Sequence, residues 1–95
     1  MLSGRPGVRD PSAPQMFYVY ILRSKQNGRY YIGYSKDVEA RLSRHNAGHT
    51  KSTKAYRPWE LVYREEYPTR SEAMGREHEI KSKKSRKYIE YLVNR

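Results

Sequence analysis

Apolar and polar positions along the chain fall first into a two-residue rhythm and then into a helical one. Residues 17–23 (FYVYILR) and 30–35 (YYIGYS) are aromatic and β-branched, and both runs read as strands. Asn27-Gly28 lies between them, a dipeptide that readily adopts the positive φ a tight hairpin needs. Taken as the two turn residues, they pair Gln26 with Arg29 and, further out, Leu22 with Gly33 and Tyr20 with Ser35. One face then carries Tyr20, Leu22, Tyr31, Gly33 and Ser35, and the other Val19, Ile21, Tyr30 and Ile32. A third strand is predicted over 59–66 (WELVYREE).

Helical spacing takes over at 36–47 (KDVEARLSRHNA), where Val38 and Leu42 form a thin stripe and Gly48 ends the helix. Arg41 and His45 lie one turn apart on the edge of that stripe, and Asp37 and Glu39 suit the helix dipole. Residues 49–58 read as a basic loop. Thr69 and Glu72 have capping-box spacing and open a second helix through about residue 82, with Ala73, Met74 and Ile80 inward. Glu77 falls inside the arc those three define. A carboxylate there calls for a cation, because burying an unpaired charge is costly. Ser85 caps a last helix over 86–94, with Tyr88, Ile89, Leu92 and Val93 inward. The order β-β-α-β-α-α predicts an α+β fold: a small three-stranded antiparallel sheet flanked by helices. Residues 1–15, with Pro6, Pro11 and Pro14 and little periodicity, are expected to be a disordered extension, and 16–95 a single domain.

Composition narrows the chemistry. The chain has no cysteine, which removes disulfide scaffolds, thiolate zinc sites and cysteine nucleophiles. Its longest apolar run, Val19 to Leu22, is too short to cross a bilayer and is interrupted by Tyr20. Nothing near the start looks like a secretory signal, so a soluble, cytoplasmic protein is expected. Twenty Lys and Arg against ten Asp and Glu give a net charge of +10, which favours polyanions. Lys51, Lys54 and Arg57 in the basic loop, with Lys83, Lys84, Arg86 and Lys87 near the last helix, are candidate phosphate contacts. Tyr56 and Trp59 are candidates for stacking on an unpaired base, with core packing the commoner role for a Trp opening a strand.

One ordered set of residues is more specific. Tyr18-Val19-Tyr20 on the first strand looks like a variant of a GIY half-motif, and Tyr31-Ile32-Gly33 on the second matches a YIG half. Arg41, His45-Asn46-Ala47-Gly48, a basic loop, Pro58 to Tyr63, and Arg76-Glu77-His78-Glu79-Ile80-Lys81 follow in turn. This series resembles the GIY-YIG nuclease superfamily, and its small stand-alone bacterial members most of all, over residues 17–95. The resemblance implies a metal-dependent endonuclease acting on nucleic acid, DNA before RNA, in a repair-related and structure-specific role. It implies that Glu77 holds one Mg²⁺ or Mn²⁺ ion, and that Arg41 meets the phosphate. Tyr20 or Tyr31 would align or deprotonate the attacking water, and His45 would relay a proton. Gly33 would leave room for the substrate backbone. No membrane and no obligate protein partner is implied.

Two features depart from the pattern: Tyr18 stands where the motif has Gly, and Tyr34 follows YIG where some members have Lys. Some members carry an asparagine after the metal glutamate; here that contribution is missing or comes from Asn46. Other readings compete. Glu77 has i,i+4 spacing to Lys81, as an exposed ion pair would. His45 and His49 have zinc-like spacing, but Gly48 breaks the helix between them and no third ligand is in sight. The alternative function is a nucleic-acid-binding module of the same fold with little or no catalytic activity. A basic ribosome-associated protein is a third.

Overall fold

A computed structural model describes residues 14–95. The expected extension over 1–15 lies outside the described residues except for Pro14 and Gln15. Phe17–Ser24 (β1), Tyr30–Ser35 (β2) and Trp59–Tyr67 (β3) form one antiparallel sheet in the order β2-β1-β3. The helices are Val38–Ala47 (α1), Lys51–Lys54 (α2), Arg70–Ser82 (α3) and Arg86–Val93 (α4). The predicted α+β order holds, with one short addition: α2 sits inside what the sequence reads as a loop. A single helical turn offers too few apolar positions to show a period.

The hairpin is longer than the Asn27-Gly28 signal indicates. Ser24 N–H donates to Arg29 O (2.7 Å) and Gly28 N–H to Ser24 O (2.9 Å), so residues 25–28 all lie in the connection. Tyr20 therefore pairs with Gly33 and Leu22 with Tyr31, a shift of two positions from the expected register. The cause is the Ser24 hydroxyl, which accepts from Gln26 and Asn27 N–H and draws the chain into a wider turn. Side chains alternate with a period of two, so a two-residue shift leaves every predicted face unchanged.

Val19 to Leu22 are fully buried because β1 is the central strand and both of its faces are covered. On one face Val19, Ile21 and Ile32 pack with Ala73, Ile80 and Leu92 of α3 and α4. On the other, Tyr20 and Leu22 pack with Val38 of α1 and with Trp59. Trp59 is thus core and not a stacking platform; its indole N–H donates to Thr53 O (2.9 Å). Tyr56 packs beside it, with the Arg29 guanidinium 4.3 Å from its ring centre.

The caps set the helix starts. Asp37 accepts from Ala40 N–H (3.1 Å), so it precedes α1 instead of lying inside its first turn. Thr69 accepts from Glu72 N–H, and Ser85 from Tyr88 N–H, as their spacing predicts. Gly48 ends α1 with φ +83°, a left-handed conformation that glycine adopts without steric cost. On α3 the inward line runs through Ala73, Glu77 and Ile80. Met74 falls off it and is 45% exposed, against the inward placement expected.

Candidate active site

The edge strand β2 brings the two layers together. Tyr20 of β1 and Tyr31 of β2 project toward α1, as the alternation predicts, while Glu77 reaches β2 from α3. A cavity of about 450 Å³ opens there, and Tyr20, Tyr31, Gly33, Arg41 and Glu77 all line it. Residues from four separate stretches of the chain thus meet at one place.

Gly33 also makes room within the site itself. A Cβ built on it would lie 2.7 Å from the Tyr20 hydroxyl oxygen, so the missing side chain accommodates the phenol. Cross-strand pairing of Tyr20 with Gly33 is what places the ring there. Tyr20 is fully buried, with its ring centroid 6.3 Å from that of Tyr31. Burial pushes its hydroxyl up to about 12, helped by Tyr31, while Arg41 acts in the opposite direction.

Behind Tyr20 lies His45, also buried, with its ring centroid 4.6 Å from Tyr31. Its Nε2 is 3.4 Å from the Tyr20 hydroxyl and its Nδ1 is 2.9 Å from Thr53 Oγ1. Burial, then the nearby Arg41 and Arg44 guanidinium groups, lowers the pKa of His45, so the ring is neutral at neutral pH. Both ring nitrogens have partners within the protein. That removes the His45–His49 zinc reading, since neither nitrogen is open to a metal.

Glu77 has a half-buried side chain, 20% exposed, and accepts from Lys81 Nζ at 3.1 Å. The i,i+4 ion pair and the inward carboxylate are therefore one arrangement: Lys81 holds one oxygen of a group that also faces the cavity. Among the described residues no three His, Asp or Glu side chains cluster around a common point. The Glu77 carboxylate and the phenol oxygens lining the cavity are donors of the kind a hard divalent ion takes. Asn46 cannot substitute for the missing asparagine. Its side chain is tied to the Trp59 backbone in both directions, accepting from N–H (2.6 Å) and donating to C=O (3.0 Å).

The basic candidates separate into two patches. Lys51, Lys54 and Arg57 line an open hollow with Asn46 and Gln26, apart from the tyrosines. Lys84 and Arg86 line a groove with Arg29, Lys81 and Tyr31, and Tyr31 also borders the cavity. Lys83 instead lies 5.4 Å from the Tyr88 ring, and Lys87 is exposed.

Several residues at the site escape sequence reasoning. Arg44 also lines the cavity, one turn after Arg41, a spacing that makes it findable on the same helical face. Arg70 and Lys36 join it there, and Arg29 and Lys81 border the groove. Thr53 has no pattern to announce it.

This juxtaposition of two strand tyrosines, a helix arginine and a carboxylate from a later helix agrees with a sequence comparison. Residues 16–89 match the GIY-YIG catalytic domain, and the chain belongs to that family of nuclease domains. Within it, the chain is similar to small UPF0213 proteins. One from Staphylococcus aureus (strain Mu3 / ATCC 700698) is 46% identical over 79 residues, covering 82% of this chain and 95% of its own. Another, from Staphylococcus saprophyticus, is 45% identical over 76 residues, covering 79% of this chain and 92% of its own. The solution structure of a UPF0213 protein from Bacillus halodurans superposes with a TM-score of 0.53 at 40% identity, covering 83% of each chain. Among the described residues no helix is long and apolar enough to cross a membrane.

Proposed function

We propose that this protein is a divalent-metal-dependent endonuclease that hydrolyses phosphodiester bonds in DNA. The observation carrying this reading is the convergence of Tyr20, Tyr31, Arg41 and Glu77 on one cavity. Hydrolysis forms a bond from water oxygen to phosphorus as the bond to the 3′-oxygen breaks. Negative charge grows on the phosphate in between. Arg41 offers a permanently charged planar fork to those oxygens, with Arg44 one turn away.

Tyr20 by itself is a poor base, because burial holds its proton more tightly than in water. With His45 behind it the demand changes. As Tyr20 takes a proton from the attacking water, its own passes to Nε2 of the neutral imidazole, and no free phenolate is needed. Tyr31, nearer the rim, positions a phosphate oxygen. Glu77 is the side chain that would hold a Mg²⁺ or Mn²⁺ ion, which supplies positive charge to the leaving oxygen when bound.

The groove of Arg29, Lys81, Lys84 and Arg86 would carry phosphates flanking the cut, and Lys83 and Lys87, outside its lining, would add positive charge nearby. Lys51, Lys54 and Arg57 would meet a more distant part of the substrate. Contacts of this kind position a backbone without reading its sequence, which fits recognition of DNA structure in cytoplasmic repair.

Labelled nicked, branched and single-stranded DNA, incubated with Mg²⁺ or Mn²⁺ beside a Glu77→Gln variant, tests the reading. Divalent-dependent products that vanish in the variant support it. The Glu77–Lys81 ion pair favours a quieter alternative, a binding module whose carboxylate is already satisfied. DNA binding without divalent-dependent cleavage on any substrate would establish that alternative instead.

A further inference from the structure

A buried threonine, Thr53, ends the side-chain hydrogen bonds that run behind Tyr20. The chain of contacts is Tyr20 hydroxyl to His45 Nε2 (3.4 Å), His45 Nδ1 to Thr53 Oγ1 (2.9 Å), and Thr53 Oγ1 to Thr50 O (3.2 Å). A neutral imidazole has one donor and one acceptor nitrogen. Two directions are therefore self-consistent up to the last link. In one, Thr53 donates to Nδ1, Nε2–H donates to Tyr20, and the phenol hydrogen points into the cavity. In the other, Nδ1–H donates to Thr53, Tyr20 donates to Nε2, and the phenol oxygen turns its lone pairs toward the cavity.

The Thr50 carbonyl breaks the tie. It can only accept, and it lies within reach of the Thr53 hydroxyl (3.2 Å), beside the Thr53 and Lys54 N–H groups that also donate to it. With its hydrogen committed there, Thr53 can only accept from His45. Thr53 is held firmly enough for this: it is 2% exposed, its N–H also donates to Thr50 O, and its own carbonyl accepts from Trp59. We infer that Thr53 is a positioning residue that fixes His45 as the Nδ1–H tautomer and so makes Tyr20 a hydrogen-bond acceptor toward the cavity. The lowered pKa of His45 agrees, since a neutral ring is required. The consequence is directional. Tyr20 set this way can receive a proton from water, whereas the reversed network would aim the phenol hydrogen into the cavity, toward a phosphate oxygen.

The consequence for turnover rests on the nuclease reading, but the tautomer does not. Long-range ¹H–¹⁵N correlation spectra of the ¹⁵N-histidine-labelled full chain at pH 8 report which ring nitrogen carries hydrogen. The protein has three histidines, and a His45→Asn spectrum assigns the signal. The expected result is an Nδ1–H ring in the wild type and in Thr53→Ser. Thr53→Val and Thr53→Ala, which lack the hydroxyl, should shift population toward Nε2–H. Cleavage should fall about 10-fold or more in those two and recover in Thr53→Ser, as for outer partners that orient an imidazole. A wild-type Nε2–H ring would overturn the inference even if both hydroxyl-free variants failed to fold. An unchanged Nδ1–H ring in a folded hydroxyl-free variant would overturn it too. A wild type that cuts no DNA yet shows the expected spectra would count against the nuclease reading alone.

Discussion

The two faces of the sheet carry similar chemistry put to different ends. On the α1 face, Tyr20 and Tyr31 line a cavity with Arg41 and Glu77, and His45 lies behind them. On the α3–α4 face, Glu65 accepts from Tyr63, from Tyr67 (2.7 Å) and from a two-pronged Arg76 (2.8 and 3.0 Å), and Arg76 also donates to Tyr88 (3.1 Å). Both sets mix tyrosines with charge. In the second, every strong group is turned toward another, and Glu65 and Arg76 are only 17% and 16% exposed. In the first, Arg41 lines the cavity, and Glu77 faces it too while giving one oxygen to Lys81. A closed set of hydrogen bonds holds a structure together, whereas a set with spare capacity facing a cavity can act on something else.

The sharpest break of this comparison is Glu65→Ala. Removing one partner of a buried, hydrogen-bonded pair should cost about 3–5 kcal/mol in urea or thermal unfolding. Cleavage per folded molecule should be unchanged. A large loss of activity without loss of stability would mean that the closed cluster also serves the site.

Acid should expose the same difference. Burial alone raises the Glu65 pKa, but hydrogen bonds from Arg76, Tyr63 and Tyr67 outweigh it and bring the carboxyl from 4.5 down to about 2. A carboxyl depressed on folding stabilises above its unfolded pKa and loses that stability as pH falls through the folded value. Unfolding free energy should thus decline between about pH 4.5 and 2, by on the order of 3 kcal/mol. The Glu65→Gln profile should be flatter over that interval. Parallel wild-type and variant curves would contradict the assignment.

On the cavity side, Arg41→Ala should lower cleavage by about 100-fold, the usual scale for removing one charge-stabilising group. Its melting temperature should hardly move, since Arg41 is exposed. Gly33→Ala should produce the smallest effect, and on both measurements at once. The added methyl must displace the Tyr20 ring at a cost of about 1–3 kcal/mol, and cleavage should drop with it. Destabilisation with full activity would detach Tyr20 from the chemistry.

Much of this protein could be read before folding. The strand runs, the Thr69 and Ser85 caps, and the stop at Gly48 are local signals, because each depends on backbone sterics within a few residues. The two faces of the hairpin were equally legible, since alternation survives a shift of two. The placement of Glu77 on the inward line of α3 followed from helical periodicity. Its register relative to Tyr20 did not, and neither did the Ser24 hydroxyl that lengthens the turn.

What only the tertiary structure decided are relations between distant segments. Tyr20 lies over Gly33 through cross-strand pairing, Asn46 is spent on the Trp59 backbone, and Thr53 sits behind His45 through the docking of a four-residue helix. Periodicity records which side of an element is buried. It carries no information on which polar atoms from separate elements come within 3 Å of each other, and hydrogen-bond direction is settled at that distance.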